Sequence, residues 1–242
     1  MNLLTFVLLL YLSAVALSWL KDSGHTRKLL ILALISHAWK LVSYSLQSGH
    51  MPIFNPAETL SFTAFVIGLL TLLSSWRNPH QVWVQRWSLA TIVLLLATAI
   101  LWPTPPPCYD YNHSYPYAVA FHLFRRLALA LGLFASTLFL SSLITPSTAL
   151  QSATQLRFQG RNTIMVAVLL YLLSEDTGII WCLRGWGDIW HWSPGFMIST
   201  MVLVYLMLAL HIPGGSRKPG LWYSLVGLSC GPLMFAAQFY KP

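Results

Sequence analysis

The sequence predicts an all-α, polytopic membrane protein of about eight transmembrane helices with both termini outside. Three observations carry the prediction. The chain is 8% charged and 56% hydrophobic with a mean hydropathy of +0.64, whereas ordinary globular domains are about 25% charged. Eight apolar stretches each approach the roughly 20 residues that cross a hydrocarbon core as helix. The basic residues collect in alternate loops, which sets an orientation. A soluble surface cannot be built from this composition, and the net charge of +8 reads as retained loop lysines and arginines rather than a nucleic-acid footprint.

The stretches run at about 3–20, 29–47, 57–76, 87–102, 116–143, 162–183, 194–211 and 221–239. The first contains Ala14-Val15-Ala16, which looks like a cleavage site, but it lacks a basic leader and reads as a span. The third follows Pro52 and Asn55, and Glu58 near its start suits a hydrogen-bond acceptor at a helix N-terminus. The fourth ends at Pro103–Pro107, a stiff outer connector. No repeat, low-complexity tract or soluble domain interrupts the pattern, so residues 1–242 read as a single transmembrane domain with a tryptophan-rich outer loop at about 184–195. Cys108, Cys182 and Cys230 match no metal spacing or disulfide framework.

Lys and Arg close to span ends are retained in the cytoplasm. The loops after the first, third, fifth and seventh spans hold Lys21, Arg27, Lys28, Arg77, Arg86, Arg157, Arg161, Arg217 and Lys218, nine of the 14 basic residues. The alternate loops contribute only Arg184. Both termini are therefore expected outside.

Function must lie in residues that are polar or aromatic in unusual places. Trp186, Trp190 and Trp192 crowd the string WGDIWHWSPG with Gly185 and Gly187 interleaved. They suit either an interfacial aromatic belt or a platform on which a planar ligand such as a porphyrin stacks. Of eight histidines, His25 and His80 fall in charged loops and His113 in the Tyr-rich connector. His37, His122 and His211 fall within or at the ends of apolar spans, where an imidazole either bonds a neighbouring helix or serves as a ligand, including to heme iron. Arg125 and Arg126 stand three and four residues after His122 on one helical face. They could pair with heme propionates, pair with Glu175 or Asp176, or snorkel to the interface. No nucleophile or acid/base pair stands out, so no catalytic residue is assigned.

Four blocks, in order, resemble the cytochrome c assembly family of CcsA/CcmC-like heme-handling membrane proteins. They are SGHMPIFNPAETLSF (48–62), FHLFRRLALALGLFA (121–135), GWGDIWHWSPG (185–195) and LALHIPGGSRKPGLW (208–222). The resemblance implies heme b as cofactor, His122 as an outer ligand, and His37 and His211 as intramembrane histidines that hold or relay heme. It also implies that Trp186, Gly187, Trp190 and Trp192 form a heme-facing loop. Two departures stand out: the family's Asp after the last loop tryptophan is Ser193, and the second outer histidine is missing near the C-terminus, which ends QFYKP. His191 could substitute as a ligand, or stand as a rim residue in water.

The function implied is a heme-binding integral membrane protein of cytochrome c biogenesis, holding or relaying heme b to the outer face of a bacterial inner (plasma) membrane or an organellar one. As an enzyme it would be at most one component of a heme-attachment system. The expected partners are membrane lipid and an outer-face or membrane protein, either a maturation component or a c-type cytochrome; nucleic acid is not among them. The alternative is a heme b-bearing membrane subunit of a quinol-linked electron-transfer complex.

Overall fold

The computed structural model describes residues 3–20, 23–77, 82–102, 111–145, 150–187, 194–212 and 219–239. Among these lie eight α-helices: α1 (Leu3–Trp19), α2 (Ser23–Ser48), α3 (Pro56–Arg77), α4 (Val82–Leu101), α5 (Pro116–Ile144), α6 (Leu150–Trp186), α7 (Pro194–His211) and α8 (Pro219–Phe239). A short 3-10 turn covers Tyr111–His113. Six of the helices, α2 to α6 and α8, are long and apolar enough to cross a membrane, while α1 and α7 are shorter apolar helices. The chain is a multi-pass membrane protein. Trp39, Leu46, Leu94, Leu101, Met201 and Val204 all stand exposed, a surface that invites aggregation in water and suits contact with lipid.

Each expected stretch is a helix, but α2 and α4 begin earlier than expected, which puts Arg27, Lys28 and Arg86 on helix, and α6 departs most. α6 begins at Leu150 and ends at Trp186, about 55 Å at 1.5 Å per residue, well beyond a hydrocarbon core of about 30 Å. Arg157 and Arg161, expected in a loop, therefore lie on helix. The tryptophan-rich loop also starts later than expected, because Arg184, Gly185 and Trp186 complete α6. Gly187 stops it: with φ +72° and its N–H donated to Leu183 O at 3.1 Å, it is the left-handed residue that closes a helix C-terminus. Gly49 (φ +73°) ends α2 the same way, through Ser45 O at 3.0 Å.

The chain forms two compact units, Met1–Ser114 and Tyr115–Pro242. In the first, α1 packs on α2 and α4, α3 packs on α4, and α2 meets α3. Short connections favour such neighbours. Arg86 donates from Nε and Nη2 to Ser18 O at 3.1 and 2.9 Å, capping the end of α1 where carbonyls lack helical partners. In the second unit α5 packs between α6 and α8, and α7 lies against α6 and α8. The α5–α8 approach is at backbone contact: a Cβ built on Gly231 would lie 2.7 Å from Leu133 Cα and 2.8 Å from Gly132 O. Pro232 interrupts the helical ladder one residue later. The Gly231 N–H is bonded across the interface to Ser136 Oγ at 3.1 Å.

Candidate functional site

In the first unit a polar stripe runs between α2 and α3. His37, Lys40 and Tyr44 recur at helical spacing on α2, facing Glu58 and Ser61 on α3. The start of α3 explains Glu58. Asn55 precedes the first helical residue, Pro56. Glu58 Oε2 accepts the Phe54 and Asn55 N–H groups at 3.1 and 3.2 Å, the reciprocal half of a capping box. Its Oε1 accepts Asn55 Nδ2 at 2.8 Å and Tyr44 Oη at 2.6 Å. The carboxylate is thus a structural acceptor with its lone pairs taken.

His37 is fully buried, and both ring nitrogens have hydroxyl neighbours: Nδ1 meets Tyr11 Oη at 3.4 Å and Nε2 meets Ser61 Oγ at 3.0 Å. Phe65 stands edge-on to the ring with centroids 5.5 Å apart. An iron at either nitrogen would have to displace a hydrogen-bond partner. In this arrangement His37 ties α1, α2 and α3 together.

His50, which the sequence reading passed over inside the GHMPIFN string, is also buried. Its Nδ1–H donates to Met51 O at 2.9 Å, so the neutral ring keeps its lone pair on Nε2. One face stacks on His113, with centroids 4.2 Å apart and planes at 23°. Tyr44 and Phe54 stand edge-on to it. The signal available in sequence was Gly49, whose left-handed turn folds His50 back under the loop.

In the second unit the arginines separate. Arg125 pairs with Glu175 at 2.5 Å and donates to Ser174 Oγ (3.1 Å), Tyr171 Oη (2.9 Å) and Ser199 Oγ (3.2 Å). Ser199 Oγ also donates to Glu175 at 2.6 Å. The guanidinium is therefore committed to α6 and α7, with the Glu175 carboxylate as its counter-charge. Arg126 donates to Gln238 Oε1 at 2.6 Å and approaches His122 Nδ1 at 3.4 Å. An arginine can only donate, so this contact puts the proton of neutral His122 on Nε2. Phe121 and Trp181 flank the His122 ring at 5.1 and 6.0 Å. Iron ligation by His122 Nε2 requires Arg126 to let go and the proton to move.

His211 differs. It is the last residue of α7, and its Nδ1–H donates to Met207 O at 2.7 Å. A carbonyl only accepts, so the lone pair of the neutral ring is on Nε2, the arrangement typical of metal-binding histidines. His211 lines a cavity of about 390 Å³ between α6 and α7, together with Phe158, Arg161, Asn162, Met165, Leu210 and Ile212. Arg161 donates from Nη2 to Leu210 O at 3.2 Å, satisfying a terminal carbonyl of α7. This cavity unites an imidazole lone pair, an apolar wall and a cation. A second groove of about 510 Å³ between α7 and α8 is apolar, lined by Ile198, Met201, Val202, Tyr205, Leu233, Ala236 and Ala237. Its one hydroxyl, Tyr205 Oη, is bonded to Ser229 Oγ at 2.5 Å.

Trp190, His191 and Trp192 lie outside the described residues, as does the side chain of Trp186. His37 lies in the first unit and His122 and His211 in the second, with His122 near the Trp186 end of α5–α6 and His211 at the opposite end of α7. Among the described residues no group of three or more His, Cys, Asp or Glu side chains could hold a metal ion, so an iron here would rely on porphyrin nitrogens for most of its ligands. Comparison with protein-family models, curated proteins and solved structures returns no match. The cytochrome c assembly resemblance thus rests on the four sequence blocks.

Proposed function

We propose that this is a heme b-handling membrane protein of the cytochrome c assembly type, with His211 as the iron-binding histidine. The observation that carries the reading is the Nδ1–H bond from His211 to Met207 O at 2.7 Å, which leaves the Nε2 lone pair beside an open groove of mixed polar and apolar lining. Bound heme supplies a redox-active iron in a planar apolar ring. The protein's part is to bind and orient. His211 would hold the iron through Nε2, and Phe158, Met165 and Leu210 would offer the ring apolar contact. The eight-span arrangement with both termini outside, a bacterial inner membrane, and an outer-face maturation component or c-type cytochrome as recipient belong to the same reading. His122 beside Trp181 is the second station, used once the Arg126 contact at Nδ1 is released.

A pyridine hemochrome assay on purified protein should give b-type heme, and His211→Ala should lose it. His37→Ala should lower stability while sparing the heme spectrum. An unchanged spectrum in His211→Ala defeats the assignment. The quinol-linked alternative has one observation in its favour, the apolar α7–α8 groove with its Tyr205–Ser229 hydroxyl pair, which suits a prenylated ring. A midpoint potential that moves with a quinone analogue would select it.

A further inference from the structure

We infer that Arg161 and Asn162 form a carboxylate subsite in the α6–α7 cavity, which recognises a porphyrin by a propionate at the end of the molecule marked by basic loops. The inference rests on the heme reading and names the chemistry that orients the ligand. Arg125 is consumed by Glu175, Tyr171, Ser174 and Ser199, and Arg126 is held by Gln238, so the arginines singled out in the sequence are already committed. Arg161 is not. Its bond to Leu210 O uses an Nη2 hydrogen, and a guanidinium has five N–H donors in a planar fork matched to a carboxylate.

That bond also sets the geometry. Its acceptor is Leu210 O, the residue before His211, so the guanidinium is tied to the helix end that carries the imidazole. Asn162 follows Arg161 on α6 and lines the same cavity, adding an amide N–H₂ donor. No acidic side chain is among the described lining residues. Among the described residues the opposing charge is the C-terminus of α7, worth about half a negative charge and falling off within a turn. The full positive charge of Arg161 outweighs it. Depth agrees as well: α6 changes from Gln155, Arg157, Gln159, Arg161 and Asn162 to the run IMVAVLLYLL at Ile164. The cavity therefore sits where hydrocarbon meets headgroups, with Phe158, Met165 and Leu210 for an apolar edge and Arg161 for an acid.

The test uses full-length protein in nanodiscs, with empty nanodiscs as the partition reference. The probes are metal-free protoporphyrin IX, its dimethyl ester and hemin. Metal-free porphyrin has no iron for His211, so it reads the carboxylate subsite alone. The parent protein should bind the free acid about tenfold more tightly than the ester, the scale of one charge-assisted hydrogen bond at a water-accessible site. Arg161→Gln should abolish that preference, Arg161→Lys should restore part of it, and Asn162→Ala should reduce it. His211→Ala should keep the preference while losing the spectrum of histidine-ligated hemin. Equal binding of acid and ester by the parent protein overturns the subsite whatever Arg161→Gln does to folding. A preference that survives in Arg161→Gln overturns it too. A hemin spectrum unchanged in His211→Ala overturns the heme reading instead, and no porphyrin binding at all overturns both.

Discussion

Removing the Glu175 carboxylate should destabilise the second unit by about 3 kcal/mol or more, the range for leaving one member of a buried pair uncompensated. The two side chains are only 12% and 16% exposed, so bulk water cannot replace the lost partner. In Glu175→Ala the Arg125 guanidinium keeps only neutral acceptors, Tyr171, Ser174 and Ser199, at 2.9 to 3.2 Å. Neutral hydrogen bonds within membrane bundles average only about 0.6 kcal/mol, because the unfolded chain also finds partners. They cannot make up the deficit. Replacing both residues, Arg125→Met with Glu175→Leu, removes the desolvation cost with the attraction. Tyr171 retains Ser199 O at 3.3 Å as an acceptor. The double variant should therefore lie within about 1–2 kcal/mol of the parent, a strongly non-additive cycle. Unfolding in mixed micelles of rising SDS fraction, followed by circular dichroism, measures all four species. A single variant within about 0.5 kcal/mol of the parent, or a double variant as unstable as the sum of the singles, would falsify the claim that the pair is buried and coupled.

Three further outcomes are expected. Gly231→Ala should cost about 1–3 kcal/mol in the same unfolding assay, because its Cβ meets Leu133 Cα at 2.7 Å and Gly132 O at 2.8 Å; Gly49→Ala, with nothing within 4 Å, should cost about 1 kcal/mol from its positive φ alone. Glu58→Ala should cost about 1–2 kcal/mol and raise amide exchange at Phe54 and Asn55, whose N–H groups it accepts. Cysteine labelling from outside, in a background without the native cysteines, should modify Cys at Asp188 but not at Ser216, and the reverse pattern inverts the proposed orientation.

The helices were legible because lipid demands only length and apolarity, and each expected stretch is a helix, six of them long and apolar enough to cross a membrane. What hydropathy could not show is helix that continues past the hydrocarbon. The segment from Leu150 to Asn162 reads as a polar loop, yet Leu, Gln, Ala and Arg are good helix formers, and the segment includes the buried Ala153 and Leu156. The same blindness placed Arg184 to Trp186 in the tryptophan-rich loop, although a left-handed glycine at 187 is what ends the helix. Two compact units were invisible as well, since an apolar chain carries no charge run or flexible linker at the boundary. The buried pairings of Arg125 and of Glu58 were among the alternatives that sequence reasoning held open, and geometry chose between them.

For the histidines, composition and spacing treat His37, His122 and His211 as equivalent, while their hydrogen bonds do not. An imidazole has two nitrogens and, when neutral, one proton, so the partner of one nitrogen decides what the other can do. Hydroxyls on both sides make His37 a core fastener. A guanidinium at Nδ1 places the proton of His122 on the nitrogen that iron would need. Of these three only His211, like His50, gives Nδ1–H to a backbone carbonyl, because α7 ends at His211 and its last turn supplies the carbonyl from Met207 four residues back. A helix terminus at the membrane boundary thus does two things at once. It fixes the tautomer through its own backbone, and it exposes Leu210 O, which recruits Arg161 from α6. The Nε2 lone pair of His211 and the placement of the Arg161 cation are consequences of the same helix end.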